Sequence, residues 1–423
     1  MKINIATKLQ KLIFYSILLF LPTQLGRHFW PSWSYVSGLR IDYLSPTVYV
    51  TDILLALLFF VWLYSFFFIR KIKITLPPSY VPFSIFLLFI LLGIFTSRNP
   101  QAGFYGFIKL LEYVFFGFYV AGTIKKSHLP VITTTFSLGV FFESFLAFLQ
   151  YIQQGSIGGV LYFFGERTFT SQTPGIANVS MYGHLLLRPY GTFSHPNVLA
   201  GYLLIAMIII LFNQGSKNKK NVHNAVFIFG AIALLLTMSR IAIIVFLLVV
   251  IFFMFQKNMQ HIKKYLFFFS IFFISVLFFS PLHARFFNTA FTNEAFVRRA
   301  DLIQTAVTMF WSSPFFGVGL YNFLSNVPLF QKGSTSSLFT SLQPVHNIYL
   351  LIAAETGIFG FGFFTWFLIK TYKRIKNSLL QHVRFFLLIT VLVLGLFDHY
   401  FLTLQQGQLL FAFVLGFCWA KIR

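Results

Sequence analysis

Four polar clusters in an otherwise apolar chain carry residue types suited to chemistry on an anionic substrate. The first lies in the stretch R-P-Y-G-T-F-S-H-P-N-V-L-A-G-Y, from Arg188 to Tyr202. There Arg188, His195 and Asn197 form a turn-rich lip on an apolar run that continues to Phe212. The second is Thr237-Met238-Ser239-Arg240, a turn between two nearly unbroken apolar runs. Arg298, Arg299 and Asp301 make the third; His346-Asn347, followed by Tyr349 and Glu355-Thr356-Gly357, makes the fourth. Arginine offers planar, charge-assisted hydrogen bonds to phosphate oxygens, roughly 1.5–3 kcal/mol each. A neutral histidine can take the proton of an attacking hydroxyl, typically a 10²–10⁴-fold effect.

Each residue also has an ordinary reading. Arg188 alone could be an interfacial arginine whose charge reaches water. Arg240 resists that reading, because a charge at the centre of a span costs ~2.5–3.5 kcal/mol and less toward the interface. His195 precedes a proline, so with Asn197 it suits a turn and a helix cap. His346 begins a helix, yet a histidine at a membrane face can take up or give a proton. Arg299 reads first as the solvated face of a surface helix, and Glu355 as an intramembrane hydrogen-bonder. The sequence has no H-E-x-x-H, no Gly-rich loop with a phosphate-gripping lysine and no carboxylate pair at metal-ligand spacing. Divalent sites want clustered oxygens, so the chemistry is expected to be metal-independent and without cofactor.

The elements that must position these residues are membrane helices. Of 423 residues 57% are hydrophobic and only 10% charged, against about 25% charged in soluble domains. The net charge of +23 does not indicate nucleic acid, because the basic residues come as short clusters between apolar runs. One cysteine, Cys418, excludes an internal disulfide. Twelve runs approach the ~20 residues that a span needs: 8–25, 47–69, 80–97, 104–123, 131–153, 195–213, 223–239, 241–256, 264–281, 346–369, 384–402 and 405–420. The first is read as a retained span, since no small-x-small cleavage site follows it. Alternate connections and the two termini hold 21 of the 32 basic residues, while all nine acids fall in spans or opposite loops. That bias places both termini in the cytoplasm.

The expected fold is therefore an all-α polytopic membrane protein of about twelve transmembrane helices, residues 1–423 forming one transmembrane domain. Two long extracytoplasmic loops stand out, 154–194 and 282–345. In the second, Phe296, Ala300, Ile303, Val307 and Phe310 share a stripe over 294–311, which predicts an amphipathic helix on the membrane face.

Together the stretch from Arg188, the later T-M-S-R, the P-F-F-G-V-G-L-Y-N-F turn and V-H-N-I-Y-L-L-I-A-A-E-T-G-I-F-G resemble the O-antigen ligase/polymerase superfamily. The motifs cover residues 180–360. The resemblance implies a glycosyltransferase in the bacterial cytoplasmic (inner) membrane, moving glycan from an undecaprenyl-diphosphate carrier to an acceptor glycan or glycolipid on the outer face. By the same resemblance Arg188 and Arg240 would bind the diphosphate and His346 would assist the acceptor hydroxyl. Arg298 or Arg299 match loosely, and His195, Asn197 and Asn347 are further substrate-binding candidates. Polymerase is favoured over ligase, because no feature singles out a lipid A-core acceptor. The rival reading is a multi-span transporter or flippase for lipid-linked glycan or another anionic solute. Against it, no inverted repeat is evident and the polar groups collect at one face.

Overall fold

The computed structural model describes residues 2–70, 80–181, 184–212, 217–256, 274, 278–288, 293–331, 342–376 and 380–422. The apolar runs are helical: Lys2–Phe20, Val50–Tyr64, Tyr80–Phe95, Pro100–Thr123, Leu129–Gln153, Pro196–Phe212, Lys217–Leu236, Arg240–Gln256, Ile348–Lys376, Gln381–Gly395 and Gln405–Trp419. The span expected at 264–281 lies almost wholly outside the described residues. Among the described residues, Val50–Phe68, Pro100–Thr123, Lys126–Gln153 and Ile348–Lys376 are long and apolar enough to cross a membrane. Others, such as Pro196–Phe212 and Arg240–Phe253, are apolar but shorter. The helices Pro196–Phe212 and Arg240–Gln256 agree with the expected runs 195–213 and 241–256 to within a residue at each end.

Pro196–Phe212 is the centre of the body. Pro196 and every residue from Val198 to Ile210 are buried, so the helix is apolar all round, as a fully enclosed helix must be. Helices 129–153, 217–236, 240–256, 381–395 and 405–419 pack around it. In lipid such packing depends on close approach more than on expulsion of water. Helices 100–123 and 405–419 show how: a Cβ at Gly416 would run into the Gly117 carbonyl oxygen and Val120.

A second core joins Leu302, Ala306 and Met309 to Phe323, Leu324, Val327 and Ala354. It seats the surface helix, which spans Asn293–Ser312. Besides the expected stripe, the helix has a second apolar face. Leu302, Thr305, Ala306 and Met309 face the protein, while Phe296, Ile303 and Val307 stay exposed. The helix thus has two apolar faces, one packed on the body and one turned outward, which suits a helix lying in an interface.

The Ile348–Lys376 helix is broken at Gly357 (φ 62°, ψ −163°). The 313–322 turn runs beside the break and re-pairs its backbone: Val318 N–H donates to Ala354 O at 2.9 Å and Ile358 N–H to Pro314 O at 2.7 Å. Freed backbone groups at membrane depth must be satisfied in this way. The Glu355 carboxylate accepts from the backbone N–H of Tyr321 at 3.0 Å and Phe323 at 3.1 Å. Glu355 is thus a structural hydrogen-bonder, as its ordinary reading expected.

Candidate functional site

The lip is held from below by side chains of two helices. Gln150 accepts from the backbone N–H of Tyr190 (2.9 Å) and Gly191 (2.8 Å). Glu143 accepts from the Thr192 N–H at 2.9 Å and its hydroxyl at 2.7 Å. Gln406 donates to Pro22 O at 2.6 Å and to Thr192 O at 3.2 Å. Gly191 has φ +60°, and a Cβ there would strike the Glu143 carboxylate. A short antiparallel hairpin, Asn178–Met181 with His184–Leu187, delivers the chain to Arg188.

Arg188 is 4% exposed. Its Nε donates to Thr237 O at 2.8 Å, which ties the lip to the turn that ends in Arg240. Its Nη2 donates to Asn197 Oδ1 at 2.8 Å, and Asn197 Nδ2 donates to Asp398 Oδ2 at 2.9 Å. The other Asp398 oxygen accepts the His399 backbone N–H at 2.9 Å. It also lies 3.6 Å from His346 Nδ1, an ion-pair distance just beyond hydrogen-bond reach. The His346 side chain is 24% exposed, so it remains open to a ligand. One polar chain therefore links the lip to the fourth cluster.

The charge states follow from the surroundings. Burial alone would raise the Asp398 carboxyl, but the His346 imidazole beside it outweighs that and holds it well below the usual carboxylate range. Burial, then the Arg188 charge, pushes His195 down to about 3. A neutral His195 whose Nδ1 accepts the Asn197 N–H at 3.1 Å carries its proton on Nε2. It can donate to an anion without being a cation. Burial and then the Arg285 charge lower Arg188 to about 9, which leaves it charged at neutral pH.

The remaining expected residues are placed as follows. Asn347 caps the Ile348 helix, accepting from Tyr349 N–H and Leu350 N–H at 2.9 Å each, and its amide donates to Leu396 O at 3.1 Å. Arg298 is half-buried on the surface helix, while its exposed neighbour Arg299 is the one whose charge reaches His195, His399 and Arg285. Three residues went unnoticed as site members in the sequence. Asp398 and His399 sit in a two-residue turn between apolar runs, and only the acid-histidine pairing at an outer turn hinted at them. Arg285, in the 284–288 turn, carries no spacing signal at all.

Among the described residues, His346, Asp398 and His399 bring one possible metal-ligand atom each within 4.8 Å of one another. Both Asp398 oxygens already accept hydrogen bonds, and a His399 ring nitrogen meets Thr403 Oγ1 at 2.7 Å. The trio thus competes with the network for its own ligand atoms.

No curated protein matches the chain. Residues 225–365, which hold Arg240, Arg285, the surface helix, His346 and the Gly357 break, match the family model for O-antigen ligase. That match bears out the resemblance drawn from the motifs to the O-antigen ligase-like superfamily, and the long apolar helices suit an integral membrane protein.

Proposed function

We propose that the protein is a glycosyltransferase that moves glycan from a polyprenyl-diphosphate carrier to an acceptor on the outer face of the bacterial cytoplasmic membrane, as a polymerase or ligase. The observation that carries this is the link from Arg188 through Asn197 to Asp398 beside His346. It joins a buried guanidinium to a partly exposed imidazole through Asn197 and Asp398, a pairing that suits a phosphate ligand and a proton acceptor. The acceptor hydroxyl oxygen attacks the anomeric carbon, the bond to the diphosphate oxygen breaks with its electron pair, and the hydroxyl proton passes to His346. Arg188 and Arg240, with Arg299 nearby, offset the charge that grows on the leaving group; such preorganised donors are worth about 10²–10³ in rate each. Asp398 would orient His346 and stabilise its protonated form. His195 Nε2–H offers a neutral donor. The N-terminal end of the enclosed 196–212 helix adds a favourable dipole. No step needs a metal.

The test is purified protein in proteoliposomes supplied with a polyprenyl-diphosphate-linked glycan. A longer lipid-linked or newly joined glycan is expected, and none with His346→Ala. Lipid carried across the bilayer with no new glycosidic bond would replace this reading with the transporter.

A further inference from the structure

Residues 157–166, I-G-G-V-L-Y-F-F-G-E, form a turn of the 154–194 loop that the transfer chemistry does not use. Its apolar tip points outward: Val160 is 72% exposed, Tyr162 57% and Phe163 70%. From Gln154 to Gly165 there is no charged residue. Gly158, Gly159 and Gly165 have φ of 76°, 61° and 98°, which lets so short a segment double back.

The base of the turn is fixed. Glu166 is buried and accepts from the backbone N–H of Ile157 at 2.8 Å and of Gly158 at 2.7 Å. The Gln150 amide donates to the same carboxylate at 2.8 Å. Gln150 also holds Tyr190 and Gly191 of the lip, so one side chain joins the turn to the lip. A Cβ at Gly165 would strike Thr23 and the Gln24 backbone. Within the turn, Gly165 N–H donates to Tyr162 O at 2.9 Å and Glu166 N–H to Leu161 O at 3.1 Å. Backbone groups paired inside the segment are what a chain needs where water is scarce.

The turn also lies along the body. Gln150 clamps its base, while the Phe164 ring meets that of Phe142 with centroids 5.6 Å apart. Along one helix those two contacts are separated by about 12 Å. The turn thus runs back down the outside of the 129–153 helix, part of a segment long and apolar enough to cross a membrane. Beside Phe142 that helix exposes Leu138, Phe141, Phe145, Phe148 and Ile152, a stripe at helical spacing. The tip continues this stripe. Arg167, exposed just past the tip, suits the headgroup level, where a long basic side chain reaches water.

We propose that the 157–166 turn is a membrane anchor whose Val160, Tyr162 and Phe163 insert among the acyl chains of the outer leaflet. Through Glu166 and Gln150 it fixes the depth of the lip in the bilayer. That anchoring does not depend on what the lip binds.

The experiment places a nitroxide label at Phe163→Cys in the full chain, held in nanodiscs of phosphatidylethanolamine and phosphatidylglycerol. It measures contact of the label with dissolved oxygen, which favours acyl chains, and with a water-soluble nickel chelate. The native Cys418 is buried, and the unsubstituted chain supplies the background. Phe145→Cys, on the exposed stripe, and Gln172→Cys, at an exposed polar position, serve as references. The label at 163 is expected to meet oxygen and not nickel, in a ratio close to that at 145. A ratio like that at 172 puts the tip in water and overturns the proposal. Shielding from both reagents shows another protein covering the tip, which overturns it equally. Should Phe163→Cys not fold, Val160→Cys is read in the same way.

Discussion

Two dense polar clusters interrupt the apolar body: the Arg188–Asn197–Asp398–His346 network at the lip, and Lys109 with Asp52, Glu112 and Gln405 between helices. Lys109 Nζ lies 2.5 Å from Asp52 Oδ2 and 3.2 Å from Glu112 Oε2. The Gln405 amide donates to Thr51 Oγ1 at 3.1 Å and to Asp52. The three charged side chains are only 7–17% exposed. Here the ionisable groups face one another, and the cluster bolts helices 50–64, 100–123 and 405–419 together. At the lip the His346 side chain keeps an open edge, 24% exposed. A set of ionisable groups enclosed between helices holds a membrane protein together; a set with an opening is arranged for something that is not part of the chain.

Variants should separate the two clusters. The largest effect is expected from Arg188→Ala and His346→Ala, each lowering glycan transfer by roughly 10³-fold while the protein remains folded and monodisperse. Full activity in both variants would break the contrast. Lys109→Met should act in the opposite way. It leaves two carboxylates buried without their cation, a loss of about 3–5 kcal/mol, read as a lower Tm with transfer per folded molecule unchanged. The triple variant Lys109→Met/Asp52→Asn/Glu112→Gln should regain much of that stability. If Lys109→Met instead abolished transfer at unchanged Tm, the buried cluster would be part of the machinery.

Asp398→Asn sharpens the picture within the lip. As a positioning change it should lower kcat about tenfold with KM little altered and shift the acid limb of the pH profile. Equal loss in kcat and expression would assign Asp398 to folding alone. Acid stability gives a smaller effect. Burial pushes His399 down to about 3, with Asp398 only partly offsetting it. Its folded affinity for protons thus lies below the ordinary value near 6.5, and the unfolded chain binds the proton more tightly. That contribution is fully present above about pH 6.5 and is lost as pH falls toward 3. His399→Gln should therefore lose less Tm than wild type between pH 7 and pH 5; an identical loss would show that His399 does not govern it. Least change is expected from EDTA, under which transfer should persist. Activity lost to EDTA and restored by Mg²⁺ or Mn²⁺ would turn attention to His346, Asp398 and His399 as metal ligands.

The helices were largely legible, because an apolar run bounded by prolines, arginines and short turns leaves the backbone few alternatives to a helix. The surface helix was also read from its spacing, but its second apolar face, packed on the body through Leu302, Ala306 and Met309, does not show until a partner such as Phe323 is known. At the site, Arg240 stood out by the cost of charge beside an apolar run, and Arg188 and His346 through the resemblance. Asp398 did not, since its hydrogen-bond partner Asn197 lies 201 positions away. Asn197 and Asn347 looked alike in sequence, both beside a histidine at a helix start. The structure makes one a bridge between Arg188 and Asp398 and the other a helix cap, a distinction that only tertiary contacts supply.

The proposed roles are donor binding for Arg188 and proton transfer for His346, and one measurement separates them. Donor binding and single-turnover transfer are measured side by side for wild type, Arg188→Gln and His346→Gln, with a polyprenyl-diphosphate-linked glycan. The predicted result is weakened binding in Arg188→Gln, and near-normal binding with transfer lost in His346→Gln. If both variants bind and transfer as wild type does, the lip is not the site of glycan transfer.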